Sequence, residues 1–180
     1  MQHPSSDQVQ KVISKLESVL PLARHPLHLD MSQGVVNRHG YSCGSIHCHG
    51  GWYAIATLGL RKRNFLLEYI FPQPKVDYRD GAAFMAADLG FIHTITHRPT
   101  ENERTNGYNQ ITHWARIHST IWGNEQGAYM FSHGDAFRTI NRPNGALCLQ
   151  GIIDHWKEVR SRLVAMEQAM ITEPEINHTI

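Results

Sequence analysis

Leu149, Ile152, Ile153, Trp156, Val159, Leu163, Met166 and Met170 recur at three- and four-residue intervals. That spacing sets them along one side of a helix of about six turns. No other feature constrains the fold as strongly, because a helix this long with one apolar face must lie against other elements. Glu158 and Arg162 fall on its outer side in the favourable (i, i+4) order. A second helical period, Val9, Val12, Ile13, Leu16, Val19 and Leu20, marks an amphipathic helix near the start of the sequence. Ser5 with Gln8 three positions later predicts a capping box there, and Pro21 is expected to end the helix.

Between these two helices the signals are shorter. Residues 45–58 are small and apolar and run into Gly59, which predicts a buried helix with a glycine cap; the alternation of Tyr53, Ile55 and Thr57 leaves a strand as the alternative. The run "FLLEYIF" at 65–71 fits two helical turns or one strand. In "YRDGAAFMAADLGF", Asp80 is expected to cap a helix that Gly90 terminates. "HTITHRPTENERTNG", residues 93–107, is polar and rich in breakers, and predicts a long surface loop. Ile111, Trp114, Ala115, His118, Ile121 and Trp122 then share a helical face closed by Gly123. The expected architecture is mainly α: one compact domain over 1–172 with five or six helices, short strands near residues 55 and 70, and a flexible tail over 173–180.

Composition narrows the function. At 180 residues and 41% hydrophobic content the chain can bury one core without disulfide support. Seventeen Lys and Arg against 16 Asp and Glu leave a formal charge of +1, which supplies no global field for nucleic acid, and Arg61, Lys62 and Arg63 read as a solvated loop. No run approaches the roughly 18 apolar residues of a membrane span, so a soluble, cytoplasmic protein is expected. Three cysteines are too few for a disulfide framework. Histidine is abundant at 13, and it is both a metal ligand and a group that titrates near neutral pH.

The densest chemistry lies in "YSCGSIHCHGGWYAIA", residues 41–56, which holds Cys43, His47, Cys48 and His49. Three readings stand. In the first, Cys43, His47 and Cys48 hold a transition metal such as zinc, completed by a remote His39, His113, His118 or His133; Cys148 is isolated, and a second Cys-x2-4-Cys pair, usual in structural zinc sites, is missing. In the second, Cys43 is a nucleophile at the head of a helix, whose dipole favours the thiolate. A remote His113, His118 or His133 then serves as base, and Asp135 orients it. In the third, Cys43 and Cys48 are buried small side chains, Gly44, Gly50 and Gly51 permit close helix packing, and Trp52 and Tyr53 anchor opposite sides of the helix.

With Asp30 and Met31 preceding Cys43, Gly44, Ser45, Cys48, Gly51 and Trp52, the stretch 28–53 resembles a widespread set of uncharacterised bacterial and phage proteins. In that set an Asp-Met precedes Cys-Gly-Thr, two variable residues, a second Cys and Ala-Gly-Trp or Ala-Gly-His. "DYRDGAAFMAADLGF" and "WGNEQGAYMFS" are similar to its later segments, so that the likeness spans roughly residues 27–165 with an insert near 91–107. Ser45 stands where the set has threonine and Gly50 where it has alanine, while His47 and His49 fall on variable or apolar positions. The resemblance implies no particular reaction. A fainter similarity, of Cys43 with the later "HWARIH", is to transglutaminase-like cysteine hydrolases, whose histidine lies on a strand. The expectation is therefore a binding or accessory protein, with a cysteine hydrolase and a zinc-binding protein as the alternatives. Its partner is unspecified, with a homodimer through Trp114, Trp122 or Trp156 as one option.

Overall fold

The computed structural model describes residues 2–23, 49–58, 78–123 and 145–172. Among them the chain is mainly α. Its helices are α1 (Ser6–Ala23), α2 (His49–Leu58), α3 (Tyr78–Asp88), α4 (Glu101–Ile117), the single turn α5 (Ser119–Trp122) and α6 (Gly145–Thr172). The described residues contain no strand, and Ile55 lies in α2. The expected strand near residue 70 and the run 65–71 lie outside the described residues, as does 173–180.

Helix α1 is central. One side packs along α6, and the other meets α2 and α3, while α4 lies against α3 and α5 leads back towards α6. Its start is the capping box expected from the sequence: Gln8 N–H donates to Ser5 Oγ at 3.2 Å, and Ser5 N–H donates to Gln8 Oε1 at 2.8 Å. Glu167 of α6 adds a second tie, accepting from the backbone N–H of Ser6 at 2.8 Å and from its hydroxyl at 2.7 Å. Pro21 does not end the helix, which runs on to Ala23. In the last turn a proline removes only one backbone bond, and the ladder continues around it.

Glycine sets the spacing of the middle helices. A Cβ on Gly81 would lie 1.7 Å from the carbonyl oxygen of Gly50, so α2 and α3 cross with backbones in contact. A Cβ on Gly107 would lie 2.7 Å from the Cα of Ala83, so α4 also approaches α3 too closely for a side chain at that position. The close-packing role expected of Gly50 is thus met by a partner in another helix. Trp52 and Tyr53 are both buried beside that crossing.

Two expectations about helix ends are corrected. Asp80 does not stand at the N-cap position: it lies in the first turn of α3, which begins at Tyr78, and is fully buried with its carboxylate on Arg104 of α4. The polar stretch 93–107 is only partly a loop, because α4 begins at Glu101. Thr100 and Glu103 form a capping box that starts the helix in the middle of the polar run. Gly90 does terminate α3. It takes φ of 78°, and Gly90 N–H and Phe91 N–H donate to the carbonyls of Ala87 and Ala86, the paired bonds of a Schellman end.

The core is capped by aromatic rings. Trp122 meets Trp114 edge-on at 5.7 Å, Trp156 at 5.1 Å and His155 at 4.7 Å between ring centres. Each such edge-to-face pair contributes about 1 kcal/mol beyond the area it buries. Trp114, Trp122 and Trp156 are all fully buried. They therefore offer no surface for the homodimer contact their apolar character suggested.

Candidate functional site

Most charged side chains of the described core are committed to holding helices together. Asp80 accepts from Arg104 Nε at 2.6 Å and has Arg98 at 3.7 Å. Glu101 pairs with Arg79 and lies 3.3 Å from Arg104, which extends the network across α3 and α4. Asp88 takes Lys11 at 2.6 Å, Lys15, and the hydroxyl of buried Tyr53 at 2.5 Å. Burial pushes the Asp88 carboxyl up, but the hydrogen bonds from Lys11, Lys15 and Tyr53 outweigh it and hold the group below its usual range. Tyr53 moves the other way. Burial, followed by the charge and hydrogen bond of Asp88, raises its phenol well above the ordinary value and keeps it neutral.

The loop ahead of α4 carries a smaller constellation. Glu103 accepts from Thr100 N–H at 2.8 Å and from the Thr100 hydroxyl at 2.7 Å, and these bonds hold its carboxyl down at about 2. His93 Nε2 lies 2.8 Å and His97 Nε2 3.7 Å from its other oxygen. Among the described residues, no three His, Cys, Asp or Glu side chains are arranged to hold a metal ion.

One face of α4 differs from these structural pairs. Asn109, Gln110, Thr112, His113 and Arg116 line a concavity of about 430 Å³ on its outer side. They come together because positions three and four apart share a helical face, while Ile111, Trp114 and Ala115 from the same turns are buried against α3 and the aromatic cap. Arg116 contacts His113 Nδ1 at 3.4 Å. A guanidinium can only donate, so His113 Nδ1 accepts and its proton sits on Nε2. Among the described residues Arg116 has no carboxylate within ion-pair distance. None of the five lining side chains is acidic; the Thr112 hydroxyl is spent on the backbone carbonyls of Tyr108 and Asn109, so the concavity presents hydrogen-bond donors from Asn109, Gln110, His113 and Arg116.

The residues singled out from the sequence distribute unevenly over this picture. Cys43, His47, Cys48, His133 and Asp135, and with them His39, lie outside the described residues. His113 is exposed on the α4 concavity, where Nδ1 accepts from Arg116 and Nε2–H is the remaining donor. His118 sits elsewhere, at the elbow between α4 and α5, with Nε2 buried and unpartnered. The structure thus separates His113 and His118, which had been alternatives for one role. The concavity itself was missed, because Asn109, Gln110 and Thr112 read as an ordinary polar helix surface; the available signal was an arginine and a histidine at (i, i+3) with no acid nearby on that face.

No helix among the described residues is long and apolar enough to cross a membrane. No protein-family model, curated protein or solved structure matches the chain.

Proposed function

We propose that this is a binding protein that takes an acidic polypeptide segment on the outer face of α4. The observation that carries the reading is the acid-free concavity lined by Asn109, Gln110, Thr112, His113 and Arg116, whose arginine has no carboxylate partner among the described residues. The carboxylates of α3 and the α4 N-terminus are drawn into helix-to-helix or capping bonds, so none of the described ones competes for the positive group on this face. A carboxylate brings the two acceptor oxygens that a guanidinium fork takes in parallel, and the amides of Asn109 and Gln110 can add bonds to the backbone of an extended segment. A partner without catalysis, and membership in the bacterial and phage set that the cysteine motif resembles, belong to the same proposal.

The test is fluorescence polarisation with a labelled hexaglutamate peptide. Binding that weakens with salt and falls about tenfold or more in Arg116→Ala is expected for a charge-assisted contact. A peptide that does not bind, or one that binds equally to wild type and R116A, rejects the reading.

A further inference from the structure

Residues 2–5 precede α1 without regular structure, yet they are not loose: Pro4 is buried and His3 half-buried. The His3 ring lies on the His118 ring, with centres 4.1 Å apart and planes tilted by 55°. Trp114 Nε1–H donates to His3 Nδ1 at 3.4 Å. An indole nitrogen can only donate, so neutral His3 carries its proton on Nε2 and keeps Nδ1 as the acceptor. His118 caps both α4 and α5 through its backbone, in neither case with its side chain, and its Nε2 is buried without a hydrogen-bond partner. The contact therefore ties residues 2–5 to the elbow at the end of α4.

We propose that residues 2–5 form a strap released by protons: neutral His3 docks on Trp114 and His118 at the α4–α5 elbow, and protonation undocks it. The chemistry is specific to these atoms. The incoming proton must go to His3 Nδ1, the nitrogen that accepts from Trp114, so the indole N–H then faces an N–H and loses its only bond. The cation also lies against the His118 ring, whose buried Nε2 has no hydrogen-bond partner to turn towards it. Among the described residues no carboxylate reaches ion-pair distance of either ring. The other groups around the elbow are Trp122 of α5, which does not titrate, and His155 of α6 behind it, with Glu158 and Arg162 alongside; the N-terminal amine adds a positive charge that also opposes protonation of His3. At the far end of the strap Ser6 is held by Glu167, which keeps α1 in place when the strap leaves. Burial, and then His118, hold the His3 ring below its usual 6.5, so docking is complete above that pH and is lost as pH falls below it. Release bares the indole edge of Trp114, which lies one residue from His113 and two from Arg116 in sequence.

The experiment is NMR hydrogen exchange of the Trp114 indole N–H in the full chain at pH 7.5 and 5.5, corrected for the intrinsic rate at each pH. Protection that falls by about tenfold or more at pH 5.5, with Trp156 still protected, is expected for local release. In His3→Gln, where an amide oxygen can accept from Trp114 without titrating, protection should be the same at both pH values. Equal protection of wild type at the two pH values overturns the proposal, as does an undiminished fall in H3Q. Joint loss of protection at Trp114 and Trp156 also overturns it, because the chain is then opening as a whole.

Discussion

His155 is a partly buried base that the folded chain holds neutral, and its contribution can be worked through. Its ring packs edge-on against Trp122, and its Nε2 is buried without a partner. Burial lowers its pKa from 6.5 to about 4; Glu158 opposes the change and Arg162 reinforces it. The unfolded chain therefore takes up a proton near 6.5 that the folded chain refuses until about 4. A group depressed in this sense gives its full stabilisation above pH 6.5 and loses it as pH falls through that window. The size follows from the interval: at about 1.4 kcal/mol for each tenfold change in proton affinity, it amounts to roughly 3 kcal/mol. His155→Phe removes the titrating group and keeps an aromatic ring against Trp122. Urea unfolding of wild type and H155F at pH 7.0, 5.5 and 4.2 isolates the effect, because the depressed carboxyls at Asp88, Glu103 and Glu167 act equally in both proteins. The gap between the two should move by about 2–3 kcal/mol in favour of H155F between pH 7.0 and 4.2. Parallel curves would refute the reasoning, since His155 would then take its proton as readily folded as unfolded.

Other substitutions probe the packing and the ion pairs. Gly81→Ala forces a methyl into the carbonyl of Gly50 and should lower stability by about 2 kcal/mol or more in denaturant unfolding. Arg104→Leu leaves the buried carboxylate of Asp80 without its nearest cation, and a loss of about 3 kcal/mol is expected in the same assay. Thr100→Ala removes the side-chain half of the α4 capping box, which should reduce stability by about 1 kcal/mol and raise amide exchange in residues 101–104.

Local rules were readable where their partners are close in sequence. Ser5 and Gln8, Gly90 and the carbonyls before it, and Glu158 with Arg162 at 3.3 Å all act within one turn or one cap. The apolar faces of α1, α4 and α6 were readable for the same reason, since a helix repeats every few residues. The α4 start was hidden among breakers: Thr100 and Glu103 carry the capping pattern, but Pro99 and Gly107 around them argue for a loop. Gly107 is tolerated inside the helix because Ala83 of α3 leaves no room for a Cβ. Asp80 looked like a cap because aspartate favours helix starts; what holds it inside α3 is an arginine 24 residues away. His3 gave no signal, because its partners Trp114 and His118 come more than a hundred residues later. The α4 concavity needed the fold to show which polar residues stay outside.

The most direct measurement of the binding role is a titration of isotope-labelled protein with the hexaglutamate peptide, following the side-chain NH2 resonances of Asn109 and Gln110 and the guanidinium signal of Arg116. Shifts that saturate together and cluster on residues 109–116 are predicted. Shifts that fall elsewhere, or resonances that stay in place throughout the titration, would contradict the account.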